Sequence, residues 1–239
     1  MPLLLHGLLE ASRREAVADG SLDAHVGGEV ELVDEGRLLA VVTPTDDPEV
    51  LPSRANLMAH TRLLEALAAR VTVAPVRFGV VVDDHDALTA TMRERHDHLL
   101  EVLGRLAGHR EFRLRGRYEQ DEVVREVLAA DERAARLKGA QGVDARMELG
   151  ERIVAGIEAR RDTDRERALA ALDEHVTDVA VGAPAEPLDA FTVSLLIDEQ
   201  RQAAFDAALD DLGARVAPTL ALELVGPVPP FSFVDVGGP

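Results

Sequence analysis

The chain has 239 residues, no cysteine, no tryptophan, a single tyrosine and a formal net charge of −18. Without a thiol, disulfides, thiolate nucleophiles and thiolate metal sites are excluded. The charge argues against nucleic acid and anionic membranes as partners, and six Phe with one Tyr give little material for stacking on bases.

Taken in chain order, Leu3 to Leu9 reads as a strand leading into a helix. Glu29 to Val33 and Arg37 to Thr43 are β-branched runs joined by a turn at Asp34-Glu35-Gly36, a hairpin pattern. After a loop from Pro44 to Pro48, Leu57, His60, Leu64, Leu67 and Val71 recur at helical spacing. Val71 to Val82 is a buried strand interrupted near Pro75 and Gly79. The first third therefore runs β-α-β-β-α-β, the order of a ferredoxin-like unit.

Asp83 to Asp86 is a helix start, since aspartate satisfies free N–H groups at the positive helix end. The helix continues to about Ala107 on Leu88, Met92, Leu99, Leu103 and Leu106, and Gly108 ends it. A second series follows. It comprises a strand over Glu111 to Tyr118, a long helical region from Asp121 to Glu174 broken at Gly139 to Gly142, and strands over Val176 to Val181 and Phe191 to Ile197. A helix from Glu199 to Leu212 capped by Gly213 and a last strand from Leu220 to Val225 complete it. The expectation is an α+β protein with two ferredoxin-like (βαββαβ) domains, residues 1–82 and 83–239. The second carries an enlarged helical insertion and a C-terminal tail, and a helix joins the two. No apolar stretch approaches the ~20 residues needed to span a bilayer, so the chain reads as soluble and cytoplasmic.

The search for chemistry returns no catalytic, cofactor or metal site. His96 and His98 point about 200° apart on a helix and cannot share a metal. His60 lies on an apolar helical stripe, where a hydrogen-bonded core histidine is the ordinary outcome. No serine sits in a G-x-S-x-G context, and Gly27-Gly28 lacks phosphate-loop spacing. Arg113, Arg115 and Arg117 alternate on one strand and face one side; they can dock an acidic partner or pair with the chain's own carboxylates. Arg77 sits within an apolar strand, where a guanidinium needs a partner: either it pairs structurally with a carboxylate, which is the expected answer, or it faces a functional surface. The three prolines from Val225 to Val234 forbid helix and central strand, leaving an extended tail that carries Phe231 and Phe233. Those rings can pack on their own domain or serve as a handle for a partner.

Two stretches resemble the gas vesicle protein F/L family: His60 through Val82, containing V-x-P-x-R-F-G, and Gly226 through Val234, GPVPPFSFV. Val228 stands where the family often has an aromatic residue, and Phe231 where it often has Tyr. The resemblance covers nearly the whole chain. It implies a two-domain α+β fold and a non-enzymatic accessory role in gas vesicle assembly, with the hydrophobic shell protein and other accessory proteins as partners. It also implies a cytoplasmic, gas vesicle location with no cofactor. The candidate interface residues are Arg77, Phe78, Arg113, Arg115, Arg117, Pro229, Pro230, Phe231 and Phe233. The competing class is a ligand-binding or enzymatic ferredoxin-like protein, for which Arg77, His60 and a carboxylate would have to converge on a pocket.

Overall fold

Leu38, Leu39, Ala40, Val41 and Val42 are five consecutive residues with no exposed surface. Neighbours in a strand point to opposite faces, so this run needs cover on both sides of its sheet. The computed structural model, which describes residues 1–18, 20–23, 28–47 and 49–235, supplies that cover. The chain begins β1 (Leu3–Glu10), α1 (Arg14–Val17), β2 (Glu31–Glu35), β3 (Leu38–Pro44) and α2 (Arg54–Ala68). Two short strands, β4 (Ala74–Pro75) and β5 (Val81–Val82), follow. The sheet order is β2-β3-β1-β4, with β5 also paired to β1, and the strand pairs are antiparallel. This is the strand order of the split βαβ unit. The hairpin turn lies at Gly36-Arg37, slightly later than the sequence pattern places it.

Ser53 fixes the start of α2 by accepting from the Asn56 N–H at 3.1 Å. The helix then buries His60, Leu63, Leu64 and Leu67, and its leucines join Leu9, Leu39, Val41, Val71 and Val73 in one cluster. The other face is covered by α4 (His96–Leu106), which packs on β1, β3 and β4 through Leu99, Val102, Leu103 and Leu106. Before it, α3 (His85–Glu94) lies against β2; Asp84 caps it by accepting from the Ala87 N–H at 2.8 Å. The expected single helix from Asp83 to Ala107 is thus two helices, divided at Arg95 (φ −105°, ψ 13°).

The compact units are Met1–Glu111 together with the stretch from Pro227, and Phe112–Gly226. The boundary differs from the one after Val82 because the first sheet needs α4 for its second face. The tail also differs: it belongs to the first unit.

The second unit holds most of β6 (His109–Tyr118), then α5 (Gln120–Ala130), α6 (Glu132–Leu137), α7 (Val143–Leu172) and β7 (Asp178–Gly182). It continues with β8 (Asp189–Asp198), α8 (Gln202–Val216) and β9 (Leu220–Val228), in the order β7-β8-β6-β9. This is again the ferredoxin-like permutation, with α5 to α7 as the enlarged insertion. The helical region breaks at Lys138 to Gly142 and also at Asp131, whose carboxylate caps α6. Gly213 is not a cap; α8 runs through it to Val216. β9 carries Pro227 at the sheet edge, where a missing N–H costs no ladder bond.

In this unit Phe112, Leu114 and Tyr118 of β6 meet Phe191, Val193, Leu195 and Ile197 of β8 beneath Ile157, Leu172, Phe205 and Leu212. Gly116 completes the inward row of β6. A Cβ there would lie 2.6 Å from Cε1 and 2.7 Å from Cζ of the buried Phe191 ring, inside van der Waals contact. Gly116→Ala is therefore expected to destabilise the protein by about 1–3 kcal/mol through overpacking, measured by urea unfolding. Gly104→Ala, which meets nothing within 4 Å and lies in a helix, should be neutral or slightly stabilising.

Candidate functional site

In β1 the register against β3 shifts between Leu5 and Gly7, so His6 is the extra residue of a bulge. A bulge re-aims the side chain it carries. His6 is buried, and its Nδ1 lies 2.9 Å from Nδ1 of the buried His60, while its Nε2 lies 2.9 Å from Oγ1 of Thr43. His60 Nε2 in turn lies 3.0 Å from the carbonyl of Val76. A carbonyl only accepts, so His60 Nε2 carries hydrogen and, in the neutral ring, His60 Nδ1 accepts from His6 Nδ1–H. His6 Nε2 is then bare and accepts from the Thr43 hydroxyl. One tautomer of each ring satisfies every bond.

The backbone closes the same network. The Val76 N–H donates to the His6 carbonyl at 2.8 Å, so both main-chain groups of Val76 are held by the two histidines. Phe78 meets the His60 ring edge-on with centroids 5.5 Å apart, and Phe231 lies tilted to it at 6.3 Å. The tail is fastened further along. Ser232 donates its N–H and its hydroxyl to the two oxygens of buried Glu111, at 2.9 and 2.7 Å. Pro229 and Pro230 are buried, while Phe231 and Phe233 are half-buried.

His60 is thus where the chain's two distinctive stretches, His60 to Val82 and Gly226 to Val234, come together. Arg77 lies between the two residues that touch it. The expected buried ion pair does not form, because the strand breaks between β4 and β5 and leaves Arg77 exposed, with no ion pair among the described residues. Gly79, at φ +94°, gives the turn a backbone conformation that side chains other than glycine's rarely adopt.

Arg113, Arg115 and Arg117 lie in the second unit. Arg115 is answered by Asp189 at 2.6 Å and Glu186 at 3.1 Å, and Arg117 reaches Glu186 at 3.9 Å. Arg113 is exposed. Asp189 is fully buried and also accepts from the Ala185 and Glu186 N–H groups. Burial alone would raise its carboxyl, but the Arg115 bond and these two N–H groups bring it below the usual range. The arginine stripe is largely tied into the chain's own fold.

Neither His60 nor Arg77 lines the cavity of the first unit. This small cavity of about 130 Å³ is lined instead by the end of α2, Val71 to Val73 and Pro227 to Pro230. No group of three or more metal-ligating side chains occurs among the described residues. His96 and His98 turn to separate partners, Asp97 and the Asp235 carbonyl. The sequence reading passed over His6, Glu111 and Ser232. His6 carried a signal, a lone histidine followed by glycine inside the apolar run Leu3 to Leu9.

This geometry defines a two-domain α+β protein with two ferredoxin-like antiparallel sheets. The first unit is clasped by its own C-terminal segment. The family described as gas vesicle synthesis protein GvpL/GvpF matches residues 4–235. Gas vesicle protein F of a Streptomyces strain is 34% identical over 213 residues, covering 86% of this chain and 88% of that protein. Gas vesicle protein F1 of Halobacterium salinarum is 23% identical over 98% and 93% of the two chains. The crystal structure of GvpF from Anabaena sp. PCC7120 superposes with a TM-score of 0.81 at 17% identity, covering 99% of each chain. That from Microcystis aeruginosa gives 0.75 at 18% identity over 97% and 98%. The chain belongs to the GvpL/GvpF family of gas vesicle proteins, which is not a known enzyme family.

Burial first, and the neighbouring His60 second, hold the His6 imidazole down at about 3. His60 is also lowered, burial outweighing the Val76 carbonyl bond that favours its charged form. Unfolding frees both to take up protons near the usual value of 6.5. Between there and the lower folded values the unfolded chain binds more protons. The stability these rings contribute is therefore fully present above pH 6.5 and lost as pH falls towards 3. The slope is up to about 1.4 kcal/mol per pH unit for a fully depressed histidine. In urea unfolding at pH 7.5 and 5, His6→Gln is expected to lose about 2 kcal/mol less than wild type across that interval. At pH 7.5 it should be less stable than wild type.

Proposed function

We propose that this chain is a gas vesicle accessory protein that acts in vesicle assembly by binding, in the cytoplasm and at the gas vesicle. Its partners are the hydrophobic shell protein and other accessory proteins, and it works by contact and not by catalysis. One observation carries this reading: the two stretches in which the family resemblance is strongest meet at His60. There the titratable rings are shut into a neutral, fully bonded network, and Arg77 is left facing solvent. A site built this way offers a shaped surface.

The charge suits such a role. An apolar shell subunit tends to aggregate before it is assembled, and a partner of net charge −18 would keep the complex dispersed by repulsion while an apolar patch holds the subunit. No helix among the described residues is long and apolar enough to cross a membrane.

The test is co-expression of the tagged chain with the shell protein, followed by affinity capture and quantitation of soluble shell protein. Wild type is expected to recover shell protein that is insoluble when expressed alone. Phe231→Ser/Phe233→Ser, which removes both rings of the tail, including the Phe231 ring that packs on His60, should lower recovery several-fold. Unchanged recovery by that variant would remove the tail from the interface. Failure of wild type to bring down either shell or accessory proteins would sink the proposal.

A further inference from the structure

On a chain with 44 acidic and 26 basic residues, the sign reverses locally in the stretch that forms α2 and the turn after it, as it also does along β6. Between Val50 and Val82 there are four arginines (Arg54, Arg62, Arg70 and Arg77) and a single carboxylate, Glu65. Several other arginines are answered by carboxylates: Arg93 pairs with Glu35 at 2.8 Å, Arg133 with Glu148 at 2.8 Å and Arg160 with Glu126 at 2.7 Å. Among the described residues Arg54, Arg62 and Arg77 form no ion pair.

The same window exposes apolar side chains. Leu57, expected on the buried stripe of α2, is 42% exposed and Met58 41%, and nearby Leu51 is 72% exposed. The buried side of α2 is taken by His60, Leu63, Leu64 and Leu67. The outer side reads Arg54, Leu57, Met58, Thr61 and Arg62, all exposed, at the i, i+3, i+4, i+7 and i+8 spacing of one helical stripe. Arg77 is held beside this helix, because Val76 and Phe78 on either side of it both bind His60 of α2.

We propose that the outer stripe of α2, with the Arg77–Phe78 turn, is a docking surface for an acidic amphipathic segment of a partner protein. Apolar side chains of that segment cover Leu57 and Met58, and its carboxylates pair with Arg54, Arg62 and Arg77. Charge complementarity selects this occupant. A basic segment meets three unanswered guanidinium groups, and a second copy brings the same arginines against its own. Guanidinium groups favour paired carboxylate contacts, and the flanking leucine and methionine supply area that solvated ion pairs alone lack. The inference rests on the accessory-protein reading for its biological setting but not for its physics.

The surface is tested on the full chain with a labelled helical peptide of about 20 residues, carrying a leucine stripe flanked by glutamates. Two controls are the same peptide with lysine for glutamate and a scrambled peptide without the stripe. Fluorescence anisotropy should show the glutamate peptide binding wild type more tightly than either control, and weakening at about 0.3 M salt. Arg54→Glu/Arg62→Glu/Arg77→Glu should bind it at least about tenfold more weakly. Leu57→Ser/Met58→Ser should also weaken it with the charges intact. Both variants change exposed residues, and circular dichroism checks that they fold. Equal binding by the arginine variant, or preference for the lysine peptide, overturns the proposal. In the co-expression assay, an arginine variant that captures gas vesicle partners as well as wild type overturns this surface and leaves the accessory role standing. A wild type that captures none, while peptide binding still depends on the arginines, does the reverse.

Discussion

A hydrogen bond between two imidazoles requires one ring to donate and the other to accept, and between His6 and His60 the Val76 carbonyl decides which is which. Much of the first unit follows from that bond. The bulge in β1 exists at the one residue that turns inward to make it. The His6 carbonyl and His60 Nε2 take both main-chain groups of Val76, which anchors the edge strand just before it breaks. Breaking there frees Arg77 from the interior and sets Phe78 on His60. Phe231 of the tail then packs on the same ring, and buried Glu111 holds the next residue. A polar pair this deep is costly unless every lone pair and N–H is matched, and here each is.

The two units use one strand order for different ends. In the first, a central strand with five consecutive buried apolar residues, Leu38 to Val42, demands helices on both faces, and the sheet obtains them by annexing α3 and α4 from the connection. In the second, the expansion goes into α5 to α7 instead, and polar groups of that insertion are tied down locally: Asp131 caps α6 and also binds Arg152 at 3.0 Å. The prolines of the tail end the sheet strand, and the segment from Pro227 belongs to the first unit. Pro227 is tolerated on the edge of β9, and Pro229 and Pro230 are buried in the first unit.

What was legible in the sequence was what depends on local pattern. The β-α-β-β-α-β order appeared twice, the strand interruption at Pro75 and Gly79 was visible, and Asp84 announced a helix start. What depends on three-dimensional cover was not legible. Leu57 has the spacing of a core residue, but Leu63 takes that place, since a stripe at i+3 and i+4 leaves its exact angle on the helix open. Gly213 reads as a cap because glycine often ends helices, but the helix continues to Val216, whose side chain packs against the core. Arg77 looked buried because its neighbours are apolar, and the break that exposes it is set by hydrogen bonds from residues 6 and 60. The His6 signal was present but local pattern alone could not pair it with His60.

The uneven distribution of charge follows from range. A net charge of −18 acts over the whole surface, yet in cellular salt its reach is about 8 Å, so a contact is decided by the groups within that distance. Several arginines of this chain have carboxylates inside that radius and are neutralised by their own fold, as Arg115 is by Asp189 and Glu186. Between Val50 and Val82 only Glu65 is available in sequence, and three guanidinium groups stay solvated beside exposed Leu57 and Met58. Solvated cations cost the fold little, so nothing in the stability of the unit requires them to be there. In the proposed accessory role, the global charge would keep the protein and its cargo dispersed, while the local reversal would choose that cargo. The two signs do not conflict, because the first works at long range by repulsion and the second only at contact.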